Sequence, residues 1–257
     1  MKIVEAPVVA VREATEGIFV LTFESPFLAA SILPGQFVNV RVHSGWDPLL
    51  RRPFSVSRTI GNTLEILFGV VGRGTAILAG KRPGDVVNVL GPLGVPYTIE
   101  GNFSNAILIA GGLGVAPMPI LTSALKHKGK HVETFLGARA ANQLAPFHLE
   151  NVHNATDDGS KGFHGTVVAL AEHYLKEHPI PDAKIFACGP TPMLRAVSDF
   201  AKATGIDCQL SLEGDMACGI GICQGCPVER VGAARKYGLV CVDGPAFDSK
   251  DIVLSQA

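Results

Sequence analysis

The stretch Ala106-Ile107-Leu108-Ile109-Ala110-Gly111-Gly112-Leu113-Gly114-Val115-Ala116-Pro117 decides the architecture of the chain. Its continuous apolar opening is what a strand buried on both faces requires, and the glycine turn leads into a segment of helical length, Val115–His127. The hydrophobic run continues to Leu121, too short for a membrane span, and Gly111, Gly112, Gly114, Pro117 and Pro119 interrupt it. A strand, a glycine turn and a helix start together suit a pyrophosphate, because the free N–H groups and the helix dipole favour anions. Gly111, Gly112 and Gly114 are therefore candidate nucleotide-binding positions; the plainer alternative is a tight turn. The full G-x-G-x-x-G pattern is absent, since Pro117 stands at its third glycine. Nor does an acidic residue end the second strand: Glu133 falls inside it and Gly137-Ala138-Arg139 closes it.

Toward the C-terminus, a strand at Val132–Leu136 is followed by a helix at Val167–Glu177, a strand at Lys184–Cys188, a helix at Pro192–Thr204 and a strand at Cys208–Leu212. Strands alternating with helices predict an open parallel α/β sheet. Toward the N-terminus, short runs rich in Val, Ile and Phe recur at Ile3–Val11, Ile18–Phe23, Phe37–Val42, Phe54–Ser57, Leu64–Val71 and Val86–Leu90. Pro34-Gly35, Gly61-Asn62 and Pro83-Gly84 punctuate them, and helical periodicity is confined to Thr75–Gly80. That pattern predicts a small antiparallel barrel or sandwich. The expected organisation is a β-barrel over 1–100, an α/β domain over 101–213, and a cysteine- and glycine-rich loop region appended over 214–257.

The sharpest chemical signal is Cys218-Gly219-Ile220-Gly221-Ile222-Cys223-Gln224-Gly225-Cys226, with Cys241 fifteen residues later. This is C-x4-C-x2-C…C, the plant-type [2Fe–2S] spacing. Three thiolates from one tight loop need a backbone that turns sharply, and Gly219, Gly221 and Gly225 supply it. The competing reading, a four-cysteine zinc site, favours two C-x2-C knuckles instead. Of the two remaining thiols, Cys208 falls in a strand and reads as core. Cys188, in Cys188-Gly189-Pro190 at a strand end, stands where α/β sheets bind ligands.

Arg51-Arg52-Pro53-Phe54-Ser55 offers a cation for a diphosphate, a hydroxyl for a flavin and an aromatic to pack on a ring; a solvated arginine beside a turn is the bland reading. Val70-Val71-Gly72-Arg73-Gly74-Thr75 brings amides and a hydroxyl ahead of a short helix. Composition excludes other classes. Lys+Arg 22 against Asp+Glu 23 leaves a net charge of -1, with no basic excess for nucleic acid. The start, Met1-Lys2-Ile3-Val4-Glu5-Ala6-Pro7, shows no signal-peptide h-region, and six cysteines are too few for a disulfide scaffold, so a cytoplasmic protein is expected. A mean hydropathy of +0.30 points either to a large core or to a buried partner surface.

In this order, the barrel with Arg-Pro-Phe-Ser and the α/β region with Gly-Gly-Leu-Gly-Val-Ala-Pro and Cys-Gly-Pro resemble the ferredoxin–NADP reductase superfamily over residues 1–213. Met216 to Cys226, followed by Val240-Cys241-Val242-Asp243-Gly244-Pro245, narrows the resemblance to the electron-transfer subunits of type B dihydroorotate dehydrogenase over essentially the whole chain. Reductase subunits of hydrogenases and electron-bifurcating complexes share part of this pattern, and an NAD(P)H-oxidising FAD/[2Fe–2S] subunit of such a complex is the alternative.

The resemblance implies FAD binding by Arg52, Pro53, Phe54 and Ser55, by Gly74 and Thr75, and by the segment Leu67, Phe68 and Gly69, where Gly69 replaces a frequent arginine. It implies cluster ligation by Cys218, Cys223, Cys226 and Cys241, preceded by Glu213-Gly214-Asp215 in place of a commoner Glu-Glu-Arg-like lead-in. Thr156-Asp157-Asp158-Gly159-Ser160 recurs in these subunits near the nucleotide, or is simply a polar turn. A partner subunit, an FMN-containing α/β-barrel in a heterotetramer, would oxidise dihydroorotate to orotate in pyrimidine biosynthesis and feed electrons through [2Fe–2S] and FAD to NAD+. No catalytic acid, base or nucleophile is assigned. NAD versus NADP stays open, since Arg139 faces either a 2′-phosphate or solvent.

Overall fold

The computed structural model describes residues 1–254, so the last three positions of the expected C-terminal region lie outside the described residues. Six strands form a closed antiparallel barrel: β1 (Lys2–Thr15), β2 (Ile18–Glu24), β3 (Phe37–Arg41), β4 (Arg52–Ile60), β5 (Thr63–Gly69) and β6 (Val86–Leu93), in the order β1-β2-β5-β4-β3-β6. The period-2 alternation turns Val8, Leu21, Phe23, Val38, Val40, Val56, Ile66 and Val89 inward. Two short helices, α1 (Pro26–Ser31) and α2 (Arg73–Ala79), add Leu28 and Leu78 to that interior. Helix α1 was not expected; six residues are too few to show a period, and Ser25 caps it by accepting from the Leu28 N–H at 3.3 Å.

The second unit contains β7 (Asn105–Gly111), α3 (Met118–His127), β8 (His131–Ala138), β9 (Val152–Thr156), β10 (Phe163–His164), α4 (Val167–Glu177), β11 (Ala183–Cys188), α5 (Thr191–Thr204) and β12 (Asp207–Ser211). The C-terminal stretch adds β13 (Pro227–Arg230), β14 (Tyr237–Leu239), β15 (Ala246–Asp248) and β16 (Ile252–Val253). The large sheet runs β10-β9-β8-β7-β11-β12-β15 and is parallel except at β15, which pairs antiparallel with β12. The expected β-barrel and open α/β sheet are both present. The C-terminal region is more than an appended loop, however: it completes the edge of the large sheet through β15 and builds a small sheet, β14-β13-β16.

The glycine turn also differs from expectation. Residues Gly112–Val115 form a 3-10 turn, and α3 starts only at Met118. The reason is steric: the backbone of Gly114 lies so close to the Cys188 carbonyl that even a Cβ would overlap it. Between the two units, Tyr97 is buried edge-on to Phe186 with ring centroids 5.5 Å apart. The Gln209 side chain accepts from the Thr98 N–H at 2.8 Å and donates to its hydroxyl at 3.2 Å. Phe186 is fully buried, and truncating such a ring costs about 3–5 kcal/mol. These contacts fix the barrel against the sheet. Among the described residues, no helix is long and apolar enough to cross a membrane.

Candidate functional site

Three regions of the chain meet in a cavity of about 450 Å³. The barrel contributes Pro53, Phe54, Ser55, Leu67, Phe68, Gly69 and Thr75; the α/β unit contributes Leu113, Ala116 and Cys188; the lead-in to the cysteine loop contributes Ser211 to Met216. Strand alternation sorts the barrel residues. Leu67 packs toward the α/β unit, whereas Phe54 and Phe68 turn into the barrel, with ring centroids 5.6 Å apart. The Phe54 ring, 8% exposed, packs on Phe68 in the barrel core and also forms part of the cavity wall. Gly69 leaves room that the Leu113 side chain fills, a Cβ there falling 3.1 Å from Leu113 Cδ1.

The two arginines of the Arg-Arg-Pro motif diverge. Arg51 donates to the Asn39 and Asn88 carbonyls at 3.1 and 3.0 Å, on the outside of the barrel. Arg52 lies over the start of α2: a Cβ on Gly74 would be 2.6 Å from its Nε. Thr75 Oγ1 accepts from the Val71 and Gly72 N–H groups at 3.0 and 3.2 Å, so its hydroxyl shapes the turn that Arg52 covers. A guanidinium above a helix start is an anion-binding arrangement.

Cys188 is buried on the wall of this cavity, and burial, reinforced by the nearby Glu213, pushes its thiol up to about 12. Glu213 is exposed as a residue, but the atoms crowded around its carboxyl desolvate it and raise it. Cys208 is core, as its place in β12 predicted, and is also pushed up to about 12, chiefly by burial.

The cysteine loop brings its four thiols together as two pairs. Cys226 and Cys241 are both buried, with their sulfurs 3.3 Å apart. Cys218 Sγ accepts from the Ile220 and Cys223 N–H groups at 3.5 and 3.4 Å and also contacts the Cys223 thiol. Burial works against the Cys218 thiolate, but these donors outweigh it and bring the thiol down to about 6. Burial and the adjacent Cys226 push Cys241 up. Gly219 and Gly221 take φ of 70° and 83°, the left-handed conformations that let the loop curl around its own sulfurs. Among the described residues, no three His, Cys, Asp or Glu side chains are gathered closely enough for one metal ion. Two thiol pairs suit a two-iron cluster, which takes two cysteines per iron, better than a single zinc cage. Cys223 and Ile222 stand exposed at the rim.

A further cavity of about 420 Å³ opens at the carboxyl ends of the parallel strands, lined among others by Gly111, Gly112, Arg139, Asp157, Pro190 and Met193. Helices α4 and α5 both start beside it. Gly111 lies against Met193, where a Cβ would fall 2.5 Å from Sδ. Gly114 does not line this cavity; it serves the close approach to Cys188. Asp157, in the Thr156–Ser160 loop that the resemblance put near the nucleotide, is part of that lining. Its position after β9 is set by pairing with β8, which no local pattern reveals.

Residues 213–253 match the model of the iron–sulfur cluster binding domain of dihydroorotate dehydrogenase B. The chain is 37% identical to the dihydroorotate dehydrogenase B (NAD(+)) electron transfer subunit of Desulforamulus reducens, covering 98% of each chain. It is 38% identical to that of Bacillus caldolyticus, covering 95% of each. Among solved structures, an NADH-dependent reduced ferredoxin–NADP oxidoreductase studied for flavin-based electron bifurcation superposes with a TM-score of 0.86 at 31% identity, over 97% of this chain and 90% of that one. A ferredoxin–NADP+ reductase from Neisseria gonorrhoeae with bound FAD and NADP shares the fold, with a TM-score of 0.65 at 16% identity, over 80% of this chain and 92% of that one. With full-length identity of this order, a matched cluster domain and four thiols gathered in two pairs, the chain belongs to the family of dihydroorotate dehydrogenase B (NAD(+)) electron transfer subunits.

Proposed function

We propose that the chain is the oxidoreductase subunit that carries electrons from a dihydroorotate-oxidising catalytic partner to NAD+, with FAD, a [2Fe–2S] cluster and NAD as its redox groups. When bound, the cluster moves single electrons, the flavin handles one or two, and nicotinamide takes two as hydride. The observation that carries this reading is the shared cavity: barrel, α/β unit and cysteine-loop lead-in line one space of about 450 Å³, which supports a flavin site between the nucleotide side and the cluster side.

Cys218, Cys223, Cys226 and Cys241 would hold the cluster. Arg52 would neutralise the FAD diphosphate above the Gly74-Thr75 turn, with Pro53, Ser55, Leu67 and Gly69 lining the remainder and Phe54 and Phe68 supporting them from the barrel core. Gly111 and Gly112 would take the NAD diphosphate beside the starts of α4 and α5; Gly114 supports them by packing. The functional division follows as 1–100 for FAD, 101–213 for NAD and 214–257 for the cluster.

The protein's own work is to orient the groups and exclude water, since no acid, base or nucleophile is needed. The exposed Ile222 and Cys223 put the cluster rim at the surface for an FMN-containing α/β-barrel partner, in a two-plus-two heterotetramer working in the cytoplasm.

The test is the visible spectrum of the anaerobically purified chain before and after NADH. The expected result is a flavin band with a broad iron–sulfur shoulder, both bleached by NADH. A chain left colourless after reconstitution with FAD, iron and sulfide would overturn the reading. The likeness to the bifurcating oxidoreductase favours a second reading, a reductase subunit of such a complex. Affinity capture separates the two, because only the first retains a partner that turns over dihydroorotate.

A further inference from the structure

A third cavity, larger than the two described above at about 820 Å³, opens along the seam between the barrel and the α/β unit. It shares no lining residue with either of them. Helix α3 sets it apart: Leu113 and Ala116, just ahead of that helix, wall the cavity of about 450 Å³, whereas Ile120 and Thr122, on the helix itself, wall this one. Its size lies in the range of small-molecule pockets, which favour seams between units.

The barrel supplies Arg58, on β4. Its Nη1 is committed, donating to Glu65 Oε2 at 3.4 Å on the neighbouring strand and to His148 Nε2 at 2.8 Å across the seam. His148 accepts this bond as a neutral imidazole, and burial, with Arg58 and Arg12 acting against the pull of Glu65, holds its pKa below the usual value. The Nε and Nη2 of Arg58 have no hydrogen-bond partner among the described residues. Together they form one edge of the guanidinium, a fork that grips a phosphate through two parallel bonds.

The α/β unit supplies an unsatisfied group. Thr122 is 3% exposed, and its hydroxyl has no hydrogen-bond partner among the described residues. A buried hydroxyl left unpaired is costly unless something entering the cleft meets it. Ile32, Pro34 and Leu149 add apolar walls. The charges favour an anion: Glu65 and Glu150 are each paired, Glu150 with Lys126 at 2.6 Å, and Arg12 adds a further positive charge beside His148.

We propose that this seam binds an organic phosphate of nucleotide size. The phosphate lies on the free edge of Arg58, the ring lies against the apolar walls, and a polar atom of the ligand meets the Thr122 hydroxyl. A lone phosphate would use the arginine but leave the apolar walls wet, so the body of the ligand contributes to binding as well as its charge.

The test titrates adenosine 5′-monophosphate, uridine 5′-monophosphate, adenosine and inorganic phosphate by calorimetry into the chain purified with its redox groups. The same titrations are made on Arg58→Lys, Thr122→Val and Ser123→Trp. At least one nucleotide is expected to bind with a Kd below about 1 mM, with adenosine and inorganic phosphate each weaker by about tenfold or more. Arg58→Lys keeps the charge facing Glu65 but loses the fork, and should weaken the nucleotide about tenfold. Thr122→Val keeps the shape without the hydroxyl and should weaken it about threefold to tenfold. Ser123 is exposed on the cleft side of α3, so Ser123→Trp fills the cleft without touching the core and should abolish binding. Unchanged visible spectra and urea midpoints report folding of each variant. Failure of both nucleotides to bind, or adenosine binding as tightly as its monophosphate, overturns the proposal. Nucleotide binding that Ser123→Trp leaves unchanged also overturns it, because that binding then belongs to another cavity.

Discussion

The side-chain amide of Asn39, in the middle of barrel strand β3, donates to the carbonyl of Cys218 at 3.0 Å, tying the first cluster cysteine to a strand 179 residues earlier in the chain. Asn39 is fully buried, so this bond forms away from competing water. The barrel thereby braces the cysteine loop as well as lining the cavity that the three regions share. Asn39→Ala is expected to lower stability by about 1 kcal/mol and to speed loss of iron to a chelator, while FAD stays bound. Urea midpoints and the decay of iron–sulfur absorbance check this; an unchanged decay rate would refute the brace.

Each of Cys218→Ser, Cys223→Ser, Cys226→Ser and Cys241→Ser should abolish the iron–sulfur absorbance, because either iron loses a thiolate. Cys188→Ser and Cys208→Ser should leave iron content unchanged, since both thiols lie outside the two pairs. Iron analysis per chain decides it.

Arg52→Ala should weaken FAD binding at least about tenfold with the cluster retained. Gly74→Ala should act in the same direction without removing the charge, since its methyl would displace the Arg52 side chain. Flavin fluorescence titration measures both. Equal FAD affinity in wild type and Arg52→Ala would exclude the guanidinium as a diphosphate partner.

Gly114→Ala and Gly112→Ala should separate two uses of glycine in one turn. A Cβ at Gly114 overlaps the Cys188 carbonyl, which is backbone and cannot swing aside, so a loss of about 1–3 kcal/mol is expected. At Gly112 the space is open and only the φ of 55° resists, which costs about 1–2 kcal/mol. The sharper difference is in the flavin cavity: Gly114→Ala should shift the wall formed by Cys188 and disturb FAD, whereas Gly112→Ala should change NAD affinity alone. Paired titrations of the two ligands test it.

Burial raises both Cys188 and Cys208 to about 12, above the ordinary thiol value. A group whose folded pKa is raised contributes stability that is complete below its unfolded pKa and is lost as pH climbs toward the folded one. The chain should therefore lose stability between about pH 9 and 12, by up to about 1.4 kcal/mol per pH unit for each thiol. Cys208→Ala should flatten the slope of urea midpoint against pH over that window. The same burial should leave both thiols unreactive to iodoacetamide at pH 8 until the chain is unfolded.

Much of this was legible because the signals are local. Four cysteines at C-x4-C-x2-C…C specify their chemistry by spacing, and the apolar run Ala106–Ala110 with its glycine turn announces a buried parallel strand. Helix Val167–Glu177 shows its period so clearly that its observed bounds are the expected ones. What escaped was short or polar. Strand β9 reads Val152-His153-Asn154-Ala155-Thr156, without the apolar continuity of its neighbours, and β10 has two residues. Ala246–Asp248 becomes a strand only because β12 offers it an open edge.

The sequence by itself determined the two kinds of sheet, the iron–sulfur character of the cysteine region and the glycine turn, all of which follow from local patterns of residue types. Tertiary structure alone decided that Phe54 packs in the barrel core, that Gly114 touches Cys188, that Asn39 holds the cysteine loop, and that Asp157, just past β9, is tied to the end of β8. Those relationships join residues tens to hundreds of positions apart. They are set by strand pairing and close packing, which minimise the energy of the whole chain and leave no mark in any short stretch of it.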